Sequence, residues 1–508
     1  MTAIAIPVAV SAKCSDDGQL QIMSNHSINI TFDIIEHAKT HPDDVAIIYK
    51  SSRINYKTLD LIVWKGASFF YDFGIKPGDV IAIYMKSDFN IIMSMLSIVR
   101  MGGTVLSVLP SITEMQFQEI LIDANVKYIL CDTIFPFLTN IEFIEFKFDM
   151  IKEAPVDERA LDVVPRAPWV IVSGSGTTGK SKLIPITHEA QRHRNEISNE
   201  WIGLKRNDVV TSLSHFGFHA PKNRLLETLW AGGSYFIDFY KKQDIINDCN
   251  KYLTVLHSTV FHIHQLLKLC NNNSKCLSIR AITIGGSSVN KNIKDQINKK
   301  LTDNLIVRYA SNETGPISYI ARPDVFKKDN CVGKTFSNIN ITILNECDQP
   351  ASKGGAGLIA VQGPGNFGGY LNGQDLIPNA FTPYGFVLGD VGRFDEGGDI
   401  YHMGRFDQMM IFNGINIYPA EIEQALLMHP KIDDAISFPI KHPVHQEIPV
   451  AAVSLKKQQI ISEKEVIQHC KSVIGSNSPH RVFILNKLPR NERGKILIST
   501  LLKEIREF

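Results

Sequence analysis

The stretch Val170–His188 reads VIVSGSGTTGKSKLIPITH. With Trp169 before it, the apolar run Trp169-Val170-Ile171-Val172 predicts a buried strand. The strand runs out into Ser173-Gly174-Ser175-Gly176-Thr177-Thr178-Gly179-Lys180-Ser181-Lys182. Glycines there permit positive φ and a close approach of backbone to a ligand. Hydroxyls and two lysines lie among them. Backbone N–H groups, O–H donors and cationic charge in one concave place suit a polyphosphate. A flexible surface linker would need neither the strand nor the lysines.

Two chemistries fit these residues. Gly174 to Ser181 is G-x-x-x-x-G-K-S, the P-loop pattern, with Lys180 on phosphates and Ser181 on magnesium. Shifted by one residue, Ser175-Gly176-Thr177-Thr178-Gly179-x-x-Lys182 resembles the phosphate-binding loop of the adenylate-forming superfamily: acyl-CoA synthetases, peptide-synthetase adenylation domains and luciferases. The loop alone leaves both open, and the rest of the chain has to choose.

At 508 residues the chain is too long for one ordinary core, so at least two domains are expected. Its 44% hydrophobic and 21% charged residues are those of a soluble globular protein, and a net charge of +1 gives no pull toward nucleic acid or an anionic membrane. The eight cysteines are scattered without a C-x-x-C, which signals neither a disulfide framework nor a zinc site. No basic segment precedes the mildly apolar N-terminus, so no signal peptide is expected. The apolar run Ile91–Val99 is too short to span a bilayer, and a cytoplasmic location is expected.

Residues 28 to 168 alternate strand-like and helix-like segments: strands at Val45–Tyr49, Val80–Tyr84 and Val126–Cys131, helices at Tyr56–Asp72 and Asn90–Met101. The pattern continues with strands at Val209–Ser212, Ser234–Phe239, Thr254–Ser258, Ala281–Ile284 and Leu305–Tyr309. Such alternation with short Gly/Pro loops predicts an α/β fold of parallel sheets covered by helices. After about residue 340 short strands with Gly-rich turns (Ile341–Leu344, Gly357–Gln362, Asp399–His402) predict a small β-barrel-like part or meander. A compact α+β segment follows, with helices at Ala420–Met428 and Ser462–Ser472 and strands at Ala435–Phe438, Val450–Leu455 and Arg481–Leu485. The boundary is expected at Met403–Gln408, dividing residues 1–404 from a small mobile domain of 405–508.

Further motifs lie downstream. Leu305–Gly315, LIVRYASNETG, is a strand that delivers Tyr309 and a loop that presents Ser311, Asn312, Glu313 and Thr314. A carboxylate at a strand's C-terminal end, where open α/β sheets bind ligands, can hold Mg²⁺ together with phosphate oxygens. Tyr309-Ala310-Ser311-Asn312-Glu313 resembles the superfamily's Tyr-Gly-x-Thr-Glu, with Ala310 and Asn312 departing from it. Ile282–Val289 runs a strand into the turn Gly285-Gly286-Ser287; the matching turn of the superfamily lies against adenine and borders the acyl pocket. In Gly385–Asp407, Asp390 follows a short strand and can accept from two vicinal hydroxyls. The resemblance implies that Asp390 and Arg405 hold the ribose and that Asp407 is a hinge. Gln408 and Ile411 stand where the family has a second Asp and a Lys. Phe412–Glu423 resembles the family's Gly-x-x-Ile-x-Pro-x-Glu-Ile-Glu and implies Gly414 beside the thiol channel. Pro489–Lys495, PRNERGK, resembles the C-terminal loop whose lysine enters the active site, here Lys495.

A P-loop explains only the first motif. A binding protein of the same fold without catalysis would not need Glu313, Asp390 and Lys495. The resemblance therefore implies a ligase that uses ATP and Mg²⁺, the metal on Glu313, to turn a carboxylic acid into an acyl-adenylate. It then hands the acyl group to the thiol of CoA or carrier-protein phosphopantetheine. In these roles Lys182 and the loop hydroxyls hold phosphates, Tyr309 to Asn312 and Thr314 join the nucleotide site, and Gly315 borders the substrate.

The acyl pocket is expected in Leu213–Trp230, with His215, Phe216, Phe218 and His219 suited to an aromatic or medium acyl chain. His215 to Asn223 holds no Asp or Glu, and an unpaired buried ammonium is costly, so the acid is expected to lack an α-amino group. The run Lys182–His188 also resembles aryl-acid activating members, with Ile186 replacing their Arg. No Asp-Ser-Leu carrier site follows Lys495, so a carrier protein is expected to act in trans.

Overall fold

The helix Tyr56–Asp72 forms over the residues its apolar period predicts. Asn55 caps it by accepting from the Thr58 N–H at 2.9 Å, and Leu59, Val63, Ala67 and Phe70 share its buried face. It stops at Phe73, before Gly74 at φ 106°. The next helix, Asp88–Arg100, starts two residues earlier than expected because Ser87 accepts from the Asn90 N–H. It is buried on nearly every side, and only the two serines, Ser94 and Ser97, interrupt the apolar run Ile91–Val99.

These elements come from a computed structural model that describes residues 29–108, 112–132, 141–156, 166–174, 181–237, 252–270, 278–328, 330–373, 380–412, 415–442, 446–490 and 496–505. Two large sheets carry the first four-fifths of the chain. In the six-stranded sheet, Glu142–Glu145, Val126–Cys131, Val80–Tyr84, Thr104–Ser107 and Pro168–Gly174 run parallel, and Lys182–Thr187 closes the edge antiparallel. The larger sheet has a parallel middle: Leu305–Ser311, Ala281–Gly285, Val255–Ser258, Val209–Ser212, Ser234–Ile237 and Val45–Tyr49. One continuous apolar cluster reaches from Ile47 and Leu96 to Trp169, Leu225 and Phe367, so the two sheets share a core.

The Gly-rich strands form an antiparallel meander of Asn340–Leu344, Gly357–Gln362, Gly385–Phe394 and Ile400–Arg405. It is joined to the larger sheet through Cys331–Thr335 and Gly315–Ile320 and continues it rather than standing apart. Gly333 (φ 78°) permits the junction, since a Cβ there would lie 1.8 Å from the Tyr319 carbonyl oxygen.

From Met410 the chain builds its own five-stranded sheet, with helices at Pro419–Leu427, Glu463–Ile474 and Ile498–Ile505. Glu463–Ile474 opens on a capping box of Ser462 and Glu465. Separate apolar clusters fill the two faces, one around Met410, Leu426, Val453 and Val466, the other around Phe438, Val450, Leu488 and Leu501. This segment touches the rest through Asn330, which donates to Gln424 at 2.5 Å, and through His264, 3.7 Å from Asp433. No described helix is long and apolar enough to cross a membrane, and the described cysteines are free.

Candidate active site

Pro168–Gly174 and Lys182–Thr187 are antiparallel partners, with Gly174 opposite Lys182. A P-loop passes from its glycines into a helix that starts at the Lys-Ser pair. Here a strand follows instead, so Gly174 to Ser181 lacks the helix that a Walker A motif runs into. Ser175, Gly176, Thr177, Thr178 and Gly179 lie outside the described residues, as do Gly414 and Lys495.

A cleft of about 2210 Å³ opens where the parallel strands of the larger sheet end. Ser212, Ser258, Gly285 and Ser311, the last residues of four of those strands, all line it. Open α/β sheets bind ligands at this end. Gly286, Ser287, Ala310, Asn312, Glu313, Gly315, Arg405 and Asp407 line it too, so residues more than a hundred positions apart meet in one cleft.

Glu313 sits at the tip between the antiparallel strands Leu305–Ser311 and Gly315–Ile320. The tip is fixed from several sides. Thr314 N–H donates to Ser311 Oγ at 3.0 Å, Phe367 N–H donates to the Glu313 carbonyl at 2.7 Å, and Arg194 Nη2 donates to the carbonyls of Asn312 and Glu313 at 3.0 and 3.2 Å. Tyr370 OH donates to Glu313 Oε1 at 3.0 Å, and Lys182 Nζ lies 5.7 Å from the Tyr370 ring centre. Burial pushes the Lys182 ammonium below the usual lysine range, with Glu313 and Asp407 opposing and Arg405 adding to the shift. Lys182, Glu313, Arg405 and Asp407 are thus one electrostatic group.

Arg405 organises the other wall. Its Nη1 donates to the Leu388 carbonyl at 2.8 Å and to Asp390 Oδ1 at 3.3 Å, and its Nε and Nη2 each reach a carboxylate oxygen of Asp407 at 3.2 Å. Tyr309 OH donates to Asp390 Oδ2 at 2.5 Å. Burial would raise the Asp390 carboxyl, but His402, Tyr309 and Arg405 together hold it below the usual carboxylate range. Tyr309 and Asp390 stand behind the lining, and Asp390 has both oxygens engaged in this state.

Comparison with known proteins bears on what such a cleft belongs to. Residues 34–371 match the family described as AMP-binding enzyme, and residues 421–495 match its C-terminal domain. The chain belongs to the AMP-binding enzyme family. Bacitracin synthase 1 of Bacillus licheniformis is 24% identical over 476 residues, covering 91% of this chain and 9% of that protein. The 4-coumarate–CoA ligase CCL1 of Humulus lupulus is 24% identical over 489 residues, 88% of each chain. The chain spans only 9% of the length of bacitracin synthase 1 and 11% of that of gramicidin S synthase 2. Among solved structures, MatB of Rhodopseudomonas palustris with bound ATP superposes with a TM-score of 0.84 at 21% identity, over 94% of this chain and 99% of that one. The o-succinylbenzoate CoA synthetase MenE of Bacillus subtilis with its acyl-adenylate gives 0.82 at 21% identity, over 92% and 97%. At that identity the likeness is one of fold.

This AMP-binding enzyme departs from the sequence expectation at several side chains. Phe218 and His219 line the cleft, but His215 and Phe216 do not. Asp88 claims both: it accepts from the Phe216 N–H at 3.1 Å and lies 3.2 Å from His215 Nε2. Phe216, 2% exposed, packs edge-on against Tyr235 in the core. Thr314 is fully buried with its hydroxyl 2.9 Å from Ser311 Oγ, so it shapes the turn and does not face a nucleotide.

Sequence reasoning missed Arg194, Tyr370 and His402. Arg194 lies in His188–Ile202, a polar helix that reads as surface yet buries this guanidinium under Gly315 and Gly365. Gly315 has φ 73°, and a Cβ there would meet Arg194 Nε at 2.7 Å. Gly315→Ala should therefore destabilise the enzyme by about 1–3 kcal/mol, read as a lower urea midpoint at unchanged slope. An unmoved midpoint would mean that Arg194 yields freely.

Proposed function

We propose that this protein joins a carboxylic acid without an α-amino group to ATP, releasing pyrophosphate, and passes the acyl group to the phosphopantetheine thiol of CoA or of a separate carrier protein. The observation that carries the reading is the convergence of Lys182, Glu313, Arg405 and Asp407 at the strand ends, beside a glycine-rich stretch that closes into a strand pair. Attack of the acid's carboxylate on the α-phosphate makes an acyl–phosphate bond and breaks the bond to pyrophosphate. Charge builds on the phosphates as this happens, and preorganised cations lower that cost.

In this reading Lys182, whose ammonium lies over the Tyr370 ring and feels the Glu313 charge, would take the β- and γ-phosphates with the loop hydroxyls. Glu313 fits Mg²⁺, which takes one or two carboxylates plus phosphate oxygens, and no described cluster of three or more His, Cys, Asp or Glu competes for a metal. Bound there, the ion would neutralise phosphate charge. In this reading Asp390 and Arg405 would hold the ribose, with Gly285 to Ser287 and Tyr309 to Asn312 around the base, and Asp390 would exchange its bonds to Tyr309 and Arg405 for the ribose hydroxyls. The proposed division of the chain is 1–404 and 405–508, with Asp407 as hinge and Lys495 bridging the carboxylate and the α-phosphate. Of the two acceptors, CoA has precedent by name among the relatives, in 4-coumarate–CoA ligase CCL1.

The test is pyrophosphate release over a panel of aryl, aliphatic and amino acids, then thioester formation with CoA and with a phosphopantetheinylated carrier. Exchange with α-amino acids alone would contradict the substrate class. Lys180→Ala should change turnover by less than about tenfold, since the phosphate lysine of this reading is Lys182. A Walker A lysine would lose nearly all activity on the same change.

A further inference from the structure

The floor of the cleft holds polar groups that activation of a carboxylate does not use. They come from the helix His219–Trp230 and from two strands facing it, Val255–Ser258 and Leu305–Ser311. His219, Asn223, Arg224, His257 and Arg308 all line the cleft. Arg224, 2% exposed, pairs through Nη2 with Glu227 Oε1 at 2.5 Å, and its Nε and Nη1 have no protein partner. Both ring nitrogens of His219 and Nε2 of His257 are also buried and unpartnered; His257 Nδ1 is taken by Thr283 Oγ1.

Arg308 is half-buried, and its stem lies over Gly285, where a Cβ would meet Nε at 3.0 Å. Arg224 repels it, and Glu227 is the carboxylate that acts on both. Burial, then Arg224, pushes the Arg308 guanidinium down to about 9. Two guanidiniums against one carboxylate, with buried donors left open, is costly unless an anion completes the site. A planar guanidinium fork matches a carboxylate with two parallel hydrogen bonds.

We propose that the acid activated here carries a second carboxylate, seated on Arg308 and Arg224 at the floor of the cleft, with His219 and Asn223 beside it. This rests on the adenylation reading above and narrows its substrate from an acyl or aryl acid to a dicarboxylic acid. Phe218 and His219 of the pocket expected from sequence still line the cleft, and the two guanidiniums add a cationic floor to it. A substrate ammonium does not fit, because Glu227 already pairs with Arg224.

The experiment is acid-dependent ATP–pyrophosphate exchange with matched pairs: butyrate against succinate and glutarate, benzoate against phthalate and isophthalate. The native chain, Arg308→Met and Arg308→Lys are compared. At least one dicarboxylate should exceed its monoacid by about 10²-fold or more in kcat/KM, since a site built for a polar group rejects the analogue lacking it. Arg308→Met should raise KM for that dicarboxylate by about 10²-fold with little change in kcat. Its monoacid should be unaffected, and Arg308→Lys should recover part of the loss. A merely structural Arg308 would lower both acids together. Monoacids exchanging as well as their partners, or amino acids alone exchanging, would overturn the proposal. Exchange with no acid at all would overturn adenylation itself, and this inference with it.

Discussion

Glu313→Gln is expected to slow acid-dependent pyrophosphate formation by about 10²–10³-fold, the usual effect of removing a group aimed at transition-state charge. The substitution keeps size and a hydrogen bond with Tyr370 OH, which an amide oxygen also accepts, though without the charge that strengthens it. The turn also keeps its fixings, because Arg194, Phe367 and Ser311 bond to backbone or to Thr314 and not to the Glu313 carboxylate. What is lost is the negative charge beside Lys182 and the proposed Mg²⁺ ligand. The loss should shrink as Mg²⁺ is raised, while the thermal midpoint stays near that of the native chain. A variant that lost activity together with its melting transition would assign Glu313 to folding and not to chemistry.

Lys495→Ala is expected to cost a similar factor, about 10²–10³-fold, in adenylation alone. Thioester formation from a supplied acyl-adenylate should be spared, because that step has no phosphate displacement to assist. Asp407→Pro should give the reverse. Asp407 lies in the single turn Phe406–Gln408 that joins the meander to the C-terminal sheet, and both its oxygens are held by Arg405. Proline fixes φ near −65° at that position, which leaves one arrangement of the two halves intact and impedes passage to another. Asp407→Ala removes the Arg405 pairing and keeps φ free, so it separates the two effects. Pyrophosphate release reports the first half-reaction and thioester yield the second. Equal slowing of both by Lys495→Ala, or untouched transfer in Asp407→Pro, would contradict a mechanism with two arrangements.

The architecture was legible where local pattern and caps agreed. Tyr56–Asp72, Val80–Tyr84, Val126–Cys131 and Arg481–Leu485 form over the residues whose apolar spacing predicts them. The family resemblance was legible because its motifs are short runs in fixed order. The nature of the first loop was not legible within the loop. What settles it is Lys182–Thr187 pairing back on Pro168–Gly174, a contact between separate segments.

Side-chain roles were harder to read wherever the deciding partner is distant in sequence. His215 and Phe216 read as pocket residues until Asp88, 128 positions before Phe216, draws both aside. Arg194 reads as solvated on a polar helix, yet it donates to the Gly365 carbonyl 171 positions away. Arg308 did give a signal, a charge directly after the apolar run Leu305-Ile306-Val307 of its strand, but its opponent Arg224 comes from the helix His219–Trp230. Tyr370 and His402 carry no motif of their own and acquire meaning only by touching Glu313 and Asp390.

The central claim is that an acid's own oxygen forms the bond to the α-phosphate. It is tested most directly by supplying an acid labelled with oxygen-18 in its carboxylate, then ATP and thiol, and weighing the nucleotide product. The account predicts AMP carrying one labelled oxygen, left behind when the thiol takes the acyl group. Unlabelled AMP, or ADP with phosphate, would contradict it.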